Sequence, residues 1–136
     1  MKFVVPGEPT GKGRPRVVHA GNRSMAFTPE KTVLYENLVK LEYQRQSDGE
    51  VFRGQSIRME VKAYYAVAKS DGKRIRAAKL AGEIRPMKKP DIDNVYKIVA
   101  DALNGIAYDD DSQIVAASIE KHFDICPRVE ISIEAV

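Results

Sequence analysis

Carboxylates dominate the chemistry that this chain offers. Asp91 and Asp93 stand two apart just after Pro90, and Lys97 and Asp101 follow Asp93 at steps of four. Asp109, Asp110 and Asp111 then occur in succession. Two carboxylates held about 4 Å apart repel by about 4 kcal/mol at an effective dielectric of 20. A hard divalent cation such as Mg²⁺ removes that repulsion, because it selects carboxylate oxygen and water. Asp91 and Asp93 would point apart inside one helix. They converge only if Asp91 is the N-cap, outside helical geometry, with Asp93 in the first turn. Asp91 also suits a purely structural capping role. Lys97 and Asp101 fit an exposed ion-pair ladder worth about 0.3–0.5 kcal/mol per pair. That reading is preferred for Asp101, and spacing alone leaves Lys97 open to either role.

Charge is segregated along the chain. The balance of 22 Lys and Arg against 19 Asp and Glu, a net +3, conceals two opposite blocks. Residues 69–89 hold eight bases and two acids, a balance of +6, and residues 91–111 hold six acids and one lysine, a balance of −5. Charge runs of this kind are commonly solvated surface. Side by side, they also suit a polyanion and a cation that acts on it. Candidate phosphate contacts are Lys12, Arg14 and Arg16 in a first basic loop. Lys73, Arg74, Arg76, Lys79, Arg85, Lys88 and Lys89 form a second set. Such contacts release counterions and dominate affinity for DNA. With no Trp in the chain, grip on a duplex backbone is expected rather than a stacking platform for single strands.

Other chemistries fail on context. An aspartyl-phosphatase D-x-D needs a buried strand before it, and residues 85–90 are basic and proline-bounded. An EF-hand loop would need a carboxylate or amide at position 95, which is Val. The single Cys126 forms no internal disulfide, and neither His19 nor His122 has a ligand-spaced neighbour, so packing is the expected role of all three. No run is long and apolar enough for a membrane span, and the first residues lack a signal peptide's apolar stretch. A soluble cytoplasmic protein with no membrane partner is expected.

The elements that must position these groups follow from periodicity. At 136 residues the chain is expected to be one domain, 1–136. Residues 2–5 read as a short edge strand, and Val17-Val18 and Met25-Phe27 as arms of a hairpin around Gly21. Thr28-Pro29 predicts a helix start, with Thr28 as N-cap and Val33, Leu34, Tyr35, Leu38 and Leu41 facing the core. Ile57 to Val67 alternates as a strand, Lys73 to Leu80 suits a short helix, and Asp91 to Asn104 suits the second main helix. Strands over 114–123 and 129–133, separated by Cys126-Pro127, complete an α+β domain with one mixed sheet and two main helices.

The combination Asp91-Ile92-Asp93-Asn94, Lys97, Asp101-Ala102-Leu103-Asn104-Gly105 and Asp110-Asp111-Ser112-Gln113 resembles the RusA family of Holliday junction resolvases, found in bacteria and their prophages. The resemblance covers nearly the whole chain, and its specificity lies in residues 89–114. It implies a RusA-like homodimer that resolves four-way DNA junctions by paired symmetric nicks in recombination and repair, leaving 5′-phosphates. It implies one or two Mg²⁺ ions on an acidic triad, which falls on Asp91, Asp93 and Asp111, with Lys97 assisting. Asp110 matches the second acid of the D-D pair and is a further candidate ligand.

Overall fold

A computed structural model describes residues 1–136, except for the side chain of Arg16. The elements in chain order are β1 (Lys2–Pro6), β2 (Arg16–Ala20), β3 (Arg23–Phe27), α1 (Glu30–Gln46), β4 (Ile57–Ala66), α2 (Lys73–Leu80), α3 (Ile92–Ala102), β5 (Ile114–Asp124) and β6 (Arg128–Ala135). A mixed sheet runs in the order β1-β6-β4-β5, with β4 and β5 parallel and the other pairs antiparallel. A parallel pair requires a crossover, and α2 with α3 supplies it. The α+β architecture with one mixed sheet is as the sequence predicts, with α2 as a third, short helix.

β4 is amphipathic at period two: Ile57, Met59, Val61, Ala63 and Tyr65 are buried, while Arg58, Glu60 and Lys62 are exposed. The buried row meets α1 and α3 together with Phe3, Val5, Ile131 and Ile133. The opposite face of the sheet is wet and charged. α3 presents Val95, Ile98, Val99 and Ala102 to this core, which leaves Asp93, Lys97 and Asp101 on its free flank.

α1 departs from expectation in two respects. Its N-cap is Pro29, not Thr28, and Val33 donates its N–H to the Pro29 carbonyl. Its buried residues are Thr32, Tyr35, Val39, Glu42 and Tyr43, whereas Val33, Leu34 and Leu41 are exposed. Apolar residues nearly encircle this helix, so period alone does not select a face. The aromatic positions decide it. Tyr43 packs edge-on against Phe3 at 5.2 Å and donates to the Glu50 carbonyl at 2.6 Å. Glu42 tolerates burial because Arg45 and Gln46 both donate to it at 2.6 Å. Gln46 also takes both the N–H and the carbonyl of Val4, on the outer edge of β1.

Equilibrium unfolding in urea separates the two faces of α1. Tyr43→Ala is expected to cost about 3–5 kcal/mol through cavity formation and lost packing. Leu41→Ala should stay within about 0.5 kcal/mol of the unsubstituted protein, as exposed positions do.

Candidate active site

The N-terminus of α3 is held from below. Tyr65 donates its hydroxyl to the Pro90 carbonyl at 2.8 Å, and Lys121 donates to the Lys88 carbonyl at 2.6 Å. Asp91 is the N-cap residue, with extended backbone (φ −71°, ψ 158°), as the sequence predicts. Its side chain makes no capping hydrogen bond, so the structural role open to it is not used. Tyr65 is buried beneath this point, and burial pushes its phenol up to about 12, with Glu8 and Asp91 adding to the effect.

The acidic turn is fixed by neutral groups. Gln113 Oε1 accepts the backbone N–H of Asp109 at 2.8 Å and of Asp110 at 3.1 Å. Its Nε2 donates to the Phe52 and Gln55 carbonyls at 2.8 and 3.0 Å. Asp110 caps the short 3-10 turn Asp111–Gln113 by accepting the Ser112 N–H at 3.1 Å. Hydrogen bonding from the Ser112 hydroxyl, and then from its N–H, holds the Asp110 carboxyl below its ordinary range. Asp109 pairs with Arg53 at 3.3 Å on the surface. A bulge at the start of β5, where Ile57 faces Ile114 and Arg58 faces Ala116, follows at once. Tyr108 is buried behind the turn and donates to the Ala100 carbonyl at 2.7 Å, so it packs against α3. Burial drives its phenol pKa upward, and the nearby Asp111 charge adds to the shift.

Between α3 and β5 lies an open cavity of about 610 Å³. Asp93, Lys97, Asp101 and Asp111 line it over an apolar floor that includes Tyr96 and Ile119. Of the three successive acids, Asp111 is the one in its wall. Asp91 opens instead on a neighbouring groove shared with Arg14, Lys31 and Lys89. The structure therefore brings Asp93, Lys97 and Asp111 to one cavity and sets Asp91 beside it. Among the described residues no three Asp, Glu, His or Cys side chains form a ready metal cage. Mg²⁺ does not need one, since it keeps several waters and commonly binds through one or two carboxylates plus a substrate phosphate. Asp93 and Asp111 are suitable hard donors for it.

Several candidate DNA contacts have partners within the chain. Lys12 Nζ lies 2.5 Å from Glu36 Oε1 and 3.2 Å from Asp101 Oδ2, with all three side chains about one-fifth exposed. Lys97 joins Asp101 from the other side at 3.4 Å. Lys12 is thus a bridge from α1 to the cavity wall rather than a free phosphate contact. Its neighbours explain why: Gly11 and Gly13 let the loop approach so closely that a Cβ would lie 2.8 Å from Pro90 Cβ and 2.6 Å from Thr32 Oγ1. Lys79 is held by Asp71 at 2.6 Å and covers the Phe123 ring. Arg85 Nη1 donates to the Lys121 carbonyl and lies 2.8 Å from His122 Nδ1, while His122 stacks on Tyr64. Arg14, Lys73, Arg74, Lys88 and Lys89 are exposed, and Arg76 is partly so. The Arg16 side chain lies outside the described residues.

The sequence carried faint signals for the positioning roles of Gln113 and Lys12. The spacing from Asp110 to Gln113 is that of a capping box. Glycines on both sides of Lys12 mark a close backbone approach. Nothing in the sequence marked Tyr65 or Arg53.

Carboxylates and a lysine in an open cavity, with exposed bases at its rim, define a site suited to a phosphodiester polyanion. The chain matches the family described as endodeoxyribonuclease RusA over residues 6–134, and it belongs to that family of DNA endonucleases. It is also 36% identical over 138 residues to a Bacillus subtilis (strain 168) protein named "Uncharacterized protein YqaN", covering all of this chain and 96% of that one.

Replacing Lys12 tests its bridging role. Burial by itself would lower the Lys12 pKa, but the bonds to Glu36 and Asp101 outweigh it and the net shift is upward from 10.5. A raised lysine stabilises the fold fully below its unfolded pKa and loses that contribution as pH rises through the folded value. Lys12→Met should therefore lose about 1–3 kcal/mol at pH 7 in urea unfolding. The difference from the unsubstituted protein should shrink only above pH 10.5.

Proposed function

We propose that this protein is a Mg²⁺-dependent, structure-selective DNA endonuclease that resolves four-way junctions by paired nicks, acting as a homodimer in the cytoplasm during recombination and repair. The observation that carries the reading is the shared cavity of Asp93, Asp111 and Lys97, built on a chain of the RusA family. Two-fold symmetry supports the dimer, because a junction presents two opposed strands and a symmetric pair of subunits presents two sites.

Asp93 and Asp111 would hold the cation, and Asp91 would complete the acidic set from the adjoining groove. Bound there, Mg²⁺ would polarise the scissile phosphate and lower the pKa of an attacking water. Lys97 supplies a positive charge on the same wall, where negative charge develops on the phosphate during attack. Asp101, already balanced by Lys12 and Lys97, keeps that ammonium over the cavity. Asp110 is occupied as a cap and is assigned a supporting role in shaping the turn. The exposed bases Arg14, Lys73, Arg74, Lys88 and Lys89 grip the backbone of the arms. The products are a 5′-phosphate and a 3′-hydroxyl.

Synthetic four-way junction, flap and linear duplex, each with and without Mg²⁺, test the reading. Symmetric cutting of the junction that requires Mg²⁺ is expected. Asp93→Asn and Asp111→Asn should each lower the rate by at least about 100-fold while junction affinity stays within about threefold, as expected when a group acts on the reaction rather than on binding. Asp109→Asn should cut normally. Equal cutting of all three substrates would replace junction selectivity with a general branched-DNA nuclease. Salt-sensitive binding with no nicking under any metal would make the protein a non-catalytic DNA binder.

A further inference from the structure

The β2–β3 hairpin is a two-stranded ribbon whose residues pair with each other and not with the main sheet. The main chain of the loop before it, by contrast, is fixed. Lys12 N–H donates to the Asn94 carbonyl at 3.0 Å, and Gly13 N–H donates to Thr32 Oγ1 at 3.0 Å. The ribbon therefore projects from a rigid root at the first turn of α3, beside Asp91. Five residues per strand give it a reach of about 17 Å, about twice the 8.5 Å depth of a major groove.

Its surface is unusual for a free arm. Val18 pairs with Met25, and Phe27 lies on the same face two pairs away, all about half exposed. An isolated two-stranded hairpin is marginal in water, and exposed apolar side chains clustered on one face of it mark a contact surface. Charge identifies the occupant's class. Residues 9–29 contain Lys12, Arg14, Arg16 and Arg23 and no acid. Arg23 stands at the tip, paired with Ala20 on the apolar face.

We infer that this hairpin is a DNA-reading arm that places Arg14 and Arg23 on phosphates and its Val18–Met25 face against bases laid open at a branch point. Apolar wedges enter duplex DNA only by unstacking a step, at a few kcal/mol. A branch point has already lost that stacking, so the same contact is more favourable there than on linear duplex. The inference rests on the nuclease reading for its substrate. It goes beyond that reading by assigning branch selectivity to a segment outside the catalytic cavity.

Mobility shift without divalent metal, on a four-way junction and on a linear duplex of the same sequence, tests it apart from catalysis. For the Val18→Ser/Met25→Ser pair, junction affinity should fall about tenfold, and linear-duplex affinity less than about twofold, the size expected for losing partial burial of two apolar side chains. Arg23→Ala should weaken both substrates alike and reduce the salt slope by about one. Leu41→Ser, an equally exposed apolar change on α1, should alter neither. Melting temperatures should match the unsubstituted protein throughout. Unchanged junction affinity in the serine pair would overturn the inference. So would an equal loss on both substrates accompanied by a shift from dimer to monomer in sedimentation, which would make the face a subunit contact. An unsubstituted protein that prefers junctions but never cuts them would sink the nuclease reading and leave the arm standing.

Discussion

The backbone of the acidic turn is held in place largely by one amide rather than by counter-charges. Gln113 accepts from Asp109 and Asp110 and donates to two carbonyls of the 52–55 segment. Four hydrogen bonds to a neutral group fix the turn without consuming the charge of Asp111. A lysine or arginine in its place would have no acceptor for the Asp109 and Asp110 N–H groups, and would compete with any cation for the carboxylates. The start of α3 follows the same logic, since the Tyr65 hydroxyl holds the Pro90 carbonyl while the neighbouring Asp91 side chain makes no capping hydrogen bond.

Charge pairing is instead spent where it closes the structure. Lys12, Glu36 and Asp101 link the first loop, α1 and α3, and Lys97 is the outer member of that chain of contacts. The result is a graded arrangement along one helix flank. Asp101, deep in the stripe, is balanced by two ammonium groups, while Asp93, about two turns nearer the entrance, has no ion-pair partner among the described residues. An acid poor in internal partners beside a lysine held by internal partners is what a phosphate-handling wall requires.

Much of this was legible in the sequence. Period two gave β4 its buried face, and the i, i+3, i+4 stripe of α3 placed Asp93, Lys97 and Asp101 together on the opposite flank. The spacing of acids and lysine pointed to the family. What could not be read were facts of tertiary contact. α1 carries apolar residues on too many sides for a period to choose among them, and Tyr43 meeting Phe3 settles the matter. Lys12 looked like any loop lysine because Glu36 and Asp101 lie 24 and 89 positions away in sequence. The choice among Asp109, Asp110 and Asp111 depended on Arg53 and Ser112, which no pattern singles out.

The two margins of the sheet are treated differently. Along β1, Gln46 occupies the donor and acceptor of Val4 and Pro6 has no N–H to give, whereas along β5 Arg85 takes only the carbonyl of Lys121 among the described residues. Exposed strand edges are where sheets add to one another, and an edge whose donors and acceptors are taken resists that addition. Strand addition along β1 would therefore have to displace Gln46 from Val4.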